Sequence, residues 1–257
     1  MNLQLIFLYQ TIISSSWADT TGERIVLLKS RIVSGLLVVG GSGASYLAEF
    51  WSPEPKEVQC DLQILKRDMS YGPTVNLLDG VILACFANSC DQLTKDGWQA
   101  GPGTIKSRRW HTSAVVPQGL LLLGGFDSPD TTELLTLDGG AGRESFSLIP
   151  GRDNHCSVQV DATTVVLIGG KKDARNLATE YSGLERDDDP IVKQLPELLV
   201  GREGHACGTY QLEGRQVVAN VSERNPILKS VDVVMNIFSF SSLPVALTAM
   251  WTLTAQR

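Results

Sequence analysis

Runs of consecutive apolar residues, each closed by a pair of glycines, recur along this chain, and the stretches between them alternate apolar with polar. Leu36–Val39 ends in Gly40-Gly41, Leu120–Leu123 in Gly124-Gly125, and Val165–Ile168 in Gly169-Gly170. Two further runs, Val81–Ala84 and the one reaching Val218-Ala219, arrive at Cys85 and Asn220, where the pair is lost. A short strand that is apolar at every position is covered on both faces, and a glycine after it lets the backbone turn at positive φ. The second residues of the pairs or their replacements (Gly41, Cys85, Gly125, Gly170 and Asn220) follow one another at steps of 44, 40, 45 and 50 residues. A period of roughly 40 to 50 residues with this punctuation marks repeated four-stranded units. One such unit cannot bury its own faces, whereas several packed radially can. The pattern therefore predicts an all-β fold, a β-propeller of four-stranded blades. About five units are expected, roughly at 23–65, 66–100, 105–150, 151–198 and 201–257.

The remaining strands follow from alternation and its breaks. Third strands are expected at Tyr46–Trp51, Thr131–Leu137 and Leu177–Tyr181, and outer strands at Val58–Leu65, Phe146–Ile149 and Ile191–Leu195. In the second unit the prediction is Val81–Cys85, then Ser89–Leu93, then an outer strand carrying Trp98 against the next blade. In the fifth it is Val231–Val234 and Trp251–Thr254.

An arginine and a histidine open three of the units. Arg108 precedes His111, Arg152 precedes His155 and Arg202 precedes His205, each by three residues, whereas Tyr71-Gly72-Pro73-Thr74 stands there in the second unit. The same position in a rotationally repeated fold implies a repeated structural task. The expectation is that each histidine bonds to a loop of the next blade. Each arginine is expected to pair with a carboxylate or carbonyl of a neighbouring blade. The competing readings, a metal site of converging histidines and an anion-binding ring of arginines, need all three side chains to face the central channel.

Apolar strand, glycine pair, a strand with Thr-Glu and a spaced aromatic together resemble the kelch repeat over roughly residues 34 to 220. The likeness is strongest to secreted kelch-like proteins of invertebrates, through Ala84-Cys85 with Ser89-Cys90, Thr131-Thr132-Glu133 and Gly204-His205-Ala206-Cys207. It implies a propeller that presents inter-strand loops to a partner. The chain departs from the pattern at Cys85-Phe86 and at Val218-Ala219-Asn220.

Charge and composition narrow the function. The net charge is −6 and no basic stretch exceeds two residues, so the face a nucleic-acid binder needs is missing. At the N-terminus, Leu3–Ile13 is apolar and Ser16-Trp17-Ala18 offers small residues to a signal peptidase, so residues 1–18 are expected to be a secretory leader. The alternative is an apolar first strand. Val233–Gln256 carries no charge, but Asn236, its serines and Pro244 make it too polar for a convincing membrane span.

Of five cysteines, Cys85 and Cys90 flank a turn within one unit. Cys156 and Cys207 sit on corresponding first strands of adjacent blades, so a bridge there would staple units four and five, with Cys60 left over. The alternative is five buried thiols in a reducing compartment. Asn220-Val221-Ser222 is a glycosylation sequon. No catalytic motif is present, every histidine is taken by the repeat, and no cofactor is expected. The functional expectation is a secreted, non-enzymatic module that binds a protein partner. Its alternatives are an intracellular kelch adaptor, for instance in ubiquitin-ligase substrate recognition, and an enzyme similar to galactose oxidase.

Overall fold

The computed structural model describes residues 17–18, 24–29, 34–39, 48–51, 65–69, 74–94, 96–138, 140–186, 188–212, 215–221 and 231–236. Its strands form five antiparallel sheets, each built from consecutive stretches of chain. The first contains β1 (Trp17–Ala18), β2 (Arg24–Lys29), β3 (Ser34–Val39) and β4 (Ala48–Trp51). The second contains β5 (Thr74–Leu78), β6 (Val81–Thr94) and β7 (Gly97–Arg108). The third holds β8 (Thr112–Val116), β9 (Gly119–Leu123), β10 (Thr131–Leu135) and β11 (Arg143–Ser147). The fourth holds β12 (Cys156–Asp161), β13 (Thr164–Ile168), β14 (Ala178–Ser182) and β15 (Ile191–Gln194), and the fifth β16 (Ala206–Leu212), β17 (Arg215–Val221) and β18 (Val231–Asn236). The predicted leader before Trp17, the Gly40-Gly41 pair, the outer strand Val58–Ile64 and the strand Trp251–Thr254 lie outside the described residues.

The sheets stack side by side through β2 of the first and the first strands of the others. β2 lies by β5, β5 by β8, β8 by β12 and β12 by β16, and β1 approaches β16. Polar side chains tie these strands together: Asn76 donates to Ser113, and the Val115 amide donates to Gln159 of the next sheet. The apolar runs fill the space between sheets, as their continuous hydrophobicity requires. Leu121, Leu123 and Leu134 of the third sheet pack with Val165, Leu167 and Tyr181 of the fourth. Leu120 and Leu122 turn the other way, onto Leu83, Cys85 and Cys90 of the second. Trp98 is buried with Leu65, Met69 and Val75, within its own unit.

The pairing register corrects the second and fifth units. Thr74 pairs with Cys85 as Thr112 pairs with Leu123, so Cys85 closes the strand and Phe86-Ala87 occupies the glycine-pair position. Ala87 carries the turn at φ +51°. Ser89–Leu93 is not a separate strand but the second limb of β6, which changes partner from β5 to β7 at this bend. Likewise Ala206 pairs with Val221, so Asn220 is not a worn glycine position but lies inside the central strand of its sheet, between Cys207 and Asp232.

The glycine pairs are required by close approach as well as by φ. Gly124 sits at φ +61°, and a Cβ there would meet the Arg152 carbonyl oxygen at 2.3 Å. Gly124→Ala is accordingly expected to cost at least about 2 kcal/mol, read by urea denaturation, because left-handed strain and a backbone clash add.

Candidate functional site

Strands β9 and β13 run toward their glycine pairs, while β8 and β12 start beside them, so one end of the molecule collects four kinds of segment. These are the glycine turns, the crossing loops 148–155 and 198–205, the Arg109–His111 link and the last turn of β7. Backbone hydrogen bonds join this end across the repeats. Gly125 donates to the Arg152 carbonyl and Gly170 to that of Arg202, and Asn154 and Gly204 donate to the carbonyls of Trp110 and Asn154.

Beneath the loops the arginines act as internal anchors. Arg108 is fully buried; its Nη1 donates to the carbonyls of Gly124 and Thr131 at 2.9 Å, and its Nε faces Glu133 Oε2 at 3.3 Å. Arg152 repeats this, donating to the carbonyls of Gly169 and Leu177 and to the Thr179 hydroxyl. Arg108 ends β7 of the second sheet and its carboxylate and carbonyl acceptors belong to the neighbouring third sheet, whereas Arg152 stands on the loop leading into the fourth sheet, which supplies its acceptors. By register Thr179 stands where Glu133 stands, so among the described residues Arg152 has hydroxyl and carbonyl acceptors but no carboxylate. Burial pushes its guanidinium down to about 10, still charged at neutral pH. Arg202 is buried at the third such position. The second unit uses Arg67, which pairs with Asp91 at 3.1 Å and also reaches Ser89. Sequence reading missed it because its spacing to the next strand differs.

The histidines tie each unit to the preceding one, not to the next. His111 Nε2 meets the Thr74 hydroxyl at 3.1 Å, and His155 Nε2 meets that of Thr112 at 2.8 Å. They serve separate junctions and do not converge on one centre. His205 is the exception. It is buried against the position a Cβ of Gly169 would take, and among the described residues no side chain meets its ring nitrogens, which face only the Ile168 backbone. Burial, reinforced by the charge of Arg202, pushes its imidazole down to about 4, against a small opposing effect of the nearby Ile168 backbone. Two disulfides are present among the described residues. Cys85–Cys90 closes the bend of β6, with Cα atoms 3.9 Å apart, and Cys156–Cys207 joins the first strands of sheets four and five.

What the anchors carry outward is apolar. Ile105, Ile149 and Leu199 stand three residues before Arg108, Arg152 and Arg202, and are 48%, 78% and 92% exposed. A lone exposed aliphatic residue is ordinary, but the same one in three consecutive units is a surface with a pattern. Beside them Phe126 is half exposed and meets Trp110 edge-on at 5.4 Å. Lys171 Nζ lies 4.3 Å from the Trp110 ring centre, and the Arg109 guanidinium 5.1 Å from that of Phe126. Arg109 is forked onto Asp127, and Lys171 leans toward Asp153. The cations are thus neutralised, and the aromatic pair is held between them.

Trp110 has φ +55°. Its equivalents are Asn154 at +54° and Gly204 at +57°, the residue types that tolerate left-handed backbone. A tryptophan here is strained by about 1–2 kcal/mol, and such strain collects at functional positions. The sequence did contain the signal, in IKSR, IPGR and LVGR and in the W, N, G series before each histidine. It was passed over because a residue's exposure depends on the turn around it.

No family model matches the chain, and no curated protein does. Among solved structures, the one titled "Structure of YjhT" superposes with a TM-score of 0.60 at 10% identity, covering 81% of this chain and 71% of that one. The fold is propeller-like. At this identity the likeness speaks for the all-β architecture alone, and the five described sheets fit it.

Proposed function

We propose that this chain is a secreted, non-enzymatic kelch-type propeller that binds a protein partner through its glycine end. The observation that carries the reading is the strained, partly buried Trp110 held edge-on by the half-exposed Phe126, together with the repeated exposed aliphatics Ile105, Ile149 and Leu199. Aromatic anchors at the centre and neutralised charge at the margin are the make-up of an interaction hot spot. The kelch assignment rests on the glycine pairs and their contacts to the next unit's arginine carbonyl. Secretion is supported by the two disulfides and by the signal-like start. Trp17 and Ala18 also pair with Ile25 and Arg24, so leader cleavage after Ala18 would remove that short strand.

The test is one substitution. Trp110→Gly relieves the left-handed strain while removing exposed ring contacts of similar size, so stability is expected to stay within about 1 kcal/mol of the parent. Capture of an extracellular partner, cross-linked from conditioned medium and identified by mass, is expected to fall at least tenfold, in line with the loss of an aromatic anchor. A large stability loss with capture unchanged would make Trp110 a scaffold residue and end the proposal. Intact mass of the protein secreted from insect cells tests localisation: loss of residues 1–18 and four protected thiols are expected. The same spectrum reads whether Asn220 carries a glycan.

A further inference from the structure

The junctions between sheets follow one rule with one exception. Thr74, the first residue of β5, holds His111, and Thr112, the first residue of β8, holds His155. The first residue of β12 is Cys156, and the histidine due to meet it is His205. Register confirms the equivalence, since Cys156 pairs with Ile168 just before Gly169, as Thr112 pairs with Leu123 just before Gly124. Cys156 is instead bonded to Cys207, with Cα atoms 6.0 Å apart, and His205 is left with no hydroxyl to meet. The covalent bond therefore stands where the other junctions have a hydrogen bond. Around it Val158, Val166, Ile168, Ala178, Leu195 and Leu198 form the apolar seam between the sheets.

We infer that the junction between sheets four and five has two states set by thiol redox chemistry. In the oxidised state it is closed by the Cys156–Cys207 bond. In the reduced state the Cys156 thiol takes the threonine's place and donates to the imidazole of His205. The reductant is a dithiol. Its thiolate attacks one sulfur to form a mixed disulfide, and its second thiol then displaces the protein. Two electrons pass to the Cys156–Cys207 bond, a proton ends on each cysteine, and the dithiol leaves as a cyclic disulfide. Both sulfurs are buried, so reduction proceeds through opening of the junction itself. A thiol hydrogen bond is weaker than a bond closing 51 residues of chain, so the reduced junction is looser. Leu199 and Val200, on the crossing loop at this junction, would be presented less rigidly in that state.

Amide hydrogen exchange on the whole chain, with and without dithiothreitol, tests this. Reduction is expected to speed exchange at residues 206–221 roughly a hundredfold while leaving β8, β9 and β13 unchanged. Changes from the Cys85–Cys90 bond fall in β6 and are read separately. The double variant C156T/C207A is expected to be indifferent to dithiothreitol. It should protect residues 206–221 about five- to tenfold better than C156A/C207A, the worth of one restored hydrogen bond. The imidazole 15N shifts of His205 should report that bond in C156T/C207A and its absence in C156A/C207A. Should C156A/C207A not fold while C156T/C207A does, the threonine has replaced the bridge and the inference stands. Equal protection in the two variants, or no response of residues 206–221 to reduction, overturns it.

Discussion

Glu133→Ala is expected to destabilise the protein by about 3–5 kcal/mol, measured by urea denaturation at neutral pH. Glu133 and Arg108 are both fully buried, and the carboxylate has two tasks. Its Oε2 faces Arg108 Nε, and its Oε1 accepts from the Ile105 amide at 2.6 Å. Alanine would leave a guanidinium in an apolar interior with only carbonyl and hydroxyl acceptors, and would orphan a backbone donor. Burial alone already lowers the Arg108 pKa, and Glu133 is the main opposing influence. Glu133→Gln keeps an acceptor for Ile105 and should lose less. An apolar pair such as R108M/E133L should recover much of the loss, because it removes both charges instead of stranding one. A loss under 1 kcal/mol for Glu133→Ala would mean that water reaches the site. Because Ile105 is held through this carboxylate, the exposed aliphatic ring depends on the buried pair.

Acidification between pH 6.5 and 4 is expected to remove roughly 3 kcal/mol of stability through His205 alone. Its folded pKa, about 4, lies below the ordinary 6.5, mainly because burial disfavours the imidazolium and secondarily because Arg202 does. In that interval the unfolded chain binds a proton that the folded one refuses, so stability rises with pH across it. The contribution is complete above 6.5, falls as pH drops toward 4, and is exhausted below that. Urea midpoints across this range in wild type and in His205→Gln would isolate the effect, the variant being expected to show a flatter profile. Identical profiles would show that His205 is not held neutral by the fold. The other ionisable groups near this junction, the buried Asp153 with Lys171 and the more exposed Arg175 with Glu203, are joined in ion pairs and shared by both proteins.

The apolar runs and their glycine pairs were legible because they are local. A strand covered on both faces must be apolar throughout, and a turn against a neighbouring carbonyl must lack a Cβ, so both leave marks in adjacent residues. Where the turn could be made otherwise, the marks misled. Ala87 turns at positive φ, braced by Cys85–Cys90 across the bend, and that shifted the apparent glycine position by two residues. The histidines announced a repeated task but not its direction, since Thr74 and Thr112 lie 37 and 43 residues away from their partners.

By itself, then, the amino-acid order determined the all-β class, the repeat and the residues that recur within it, because periodic burial imposes periodic chemistry. Only the tertiary structure decided which arginine has a carboxylate, which histidine has none of its expected partners, and which aliphatic residues face solvent. Those outcomes depend on what a neighbouring strand, dozens of residues away, places opposite each side chain. Thr179 standing where Glu133 stands, and Cys156 where Thr112 stands, are single substitutions whose meaning exists only once the sheets are set side by side.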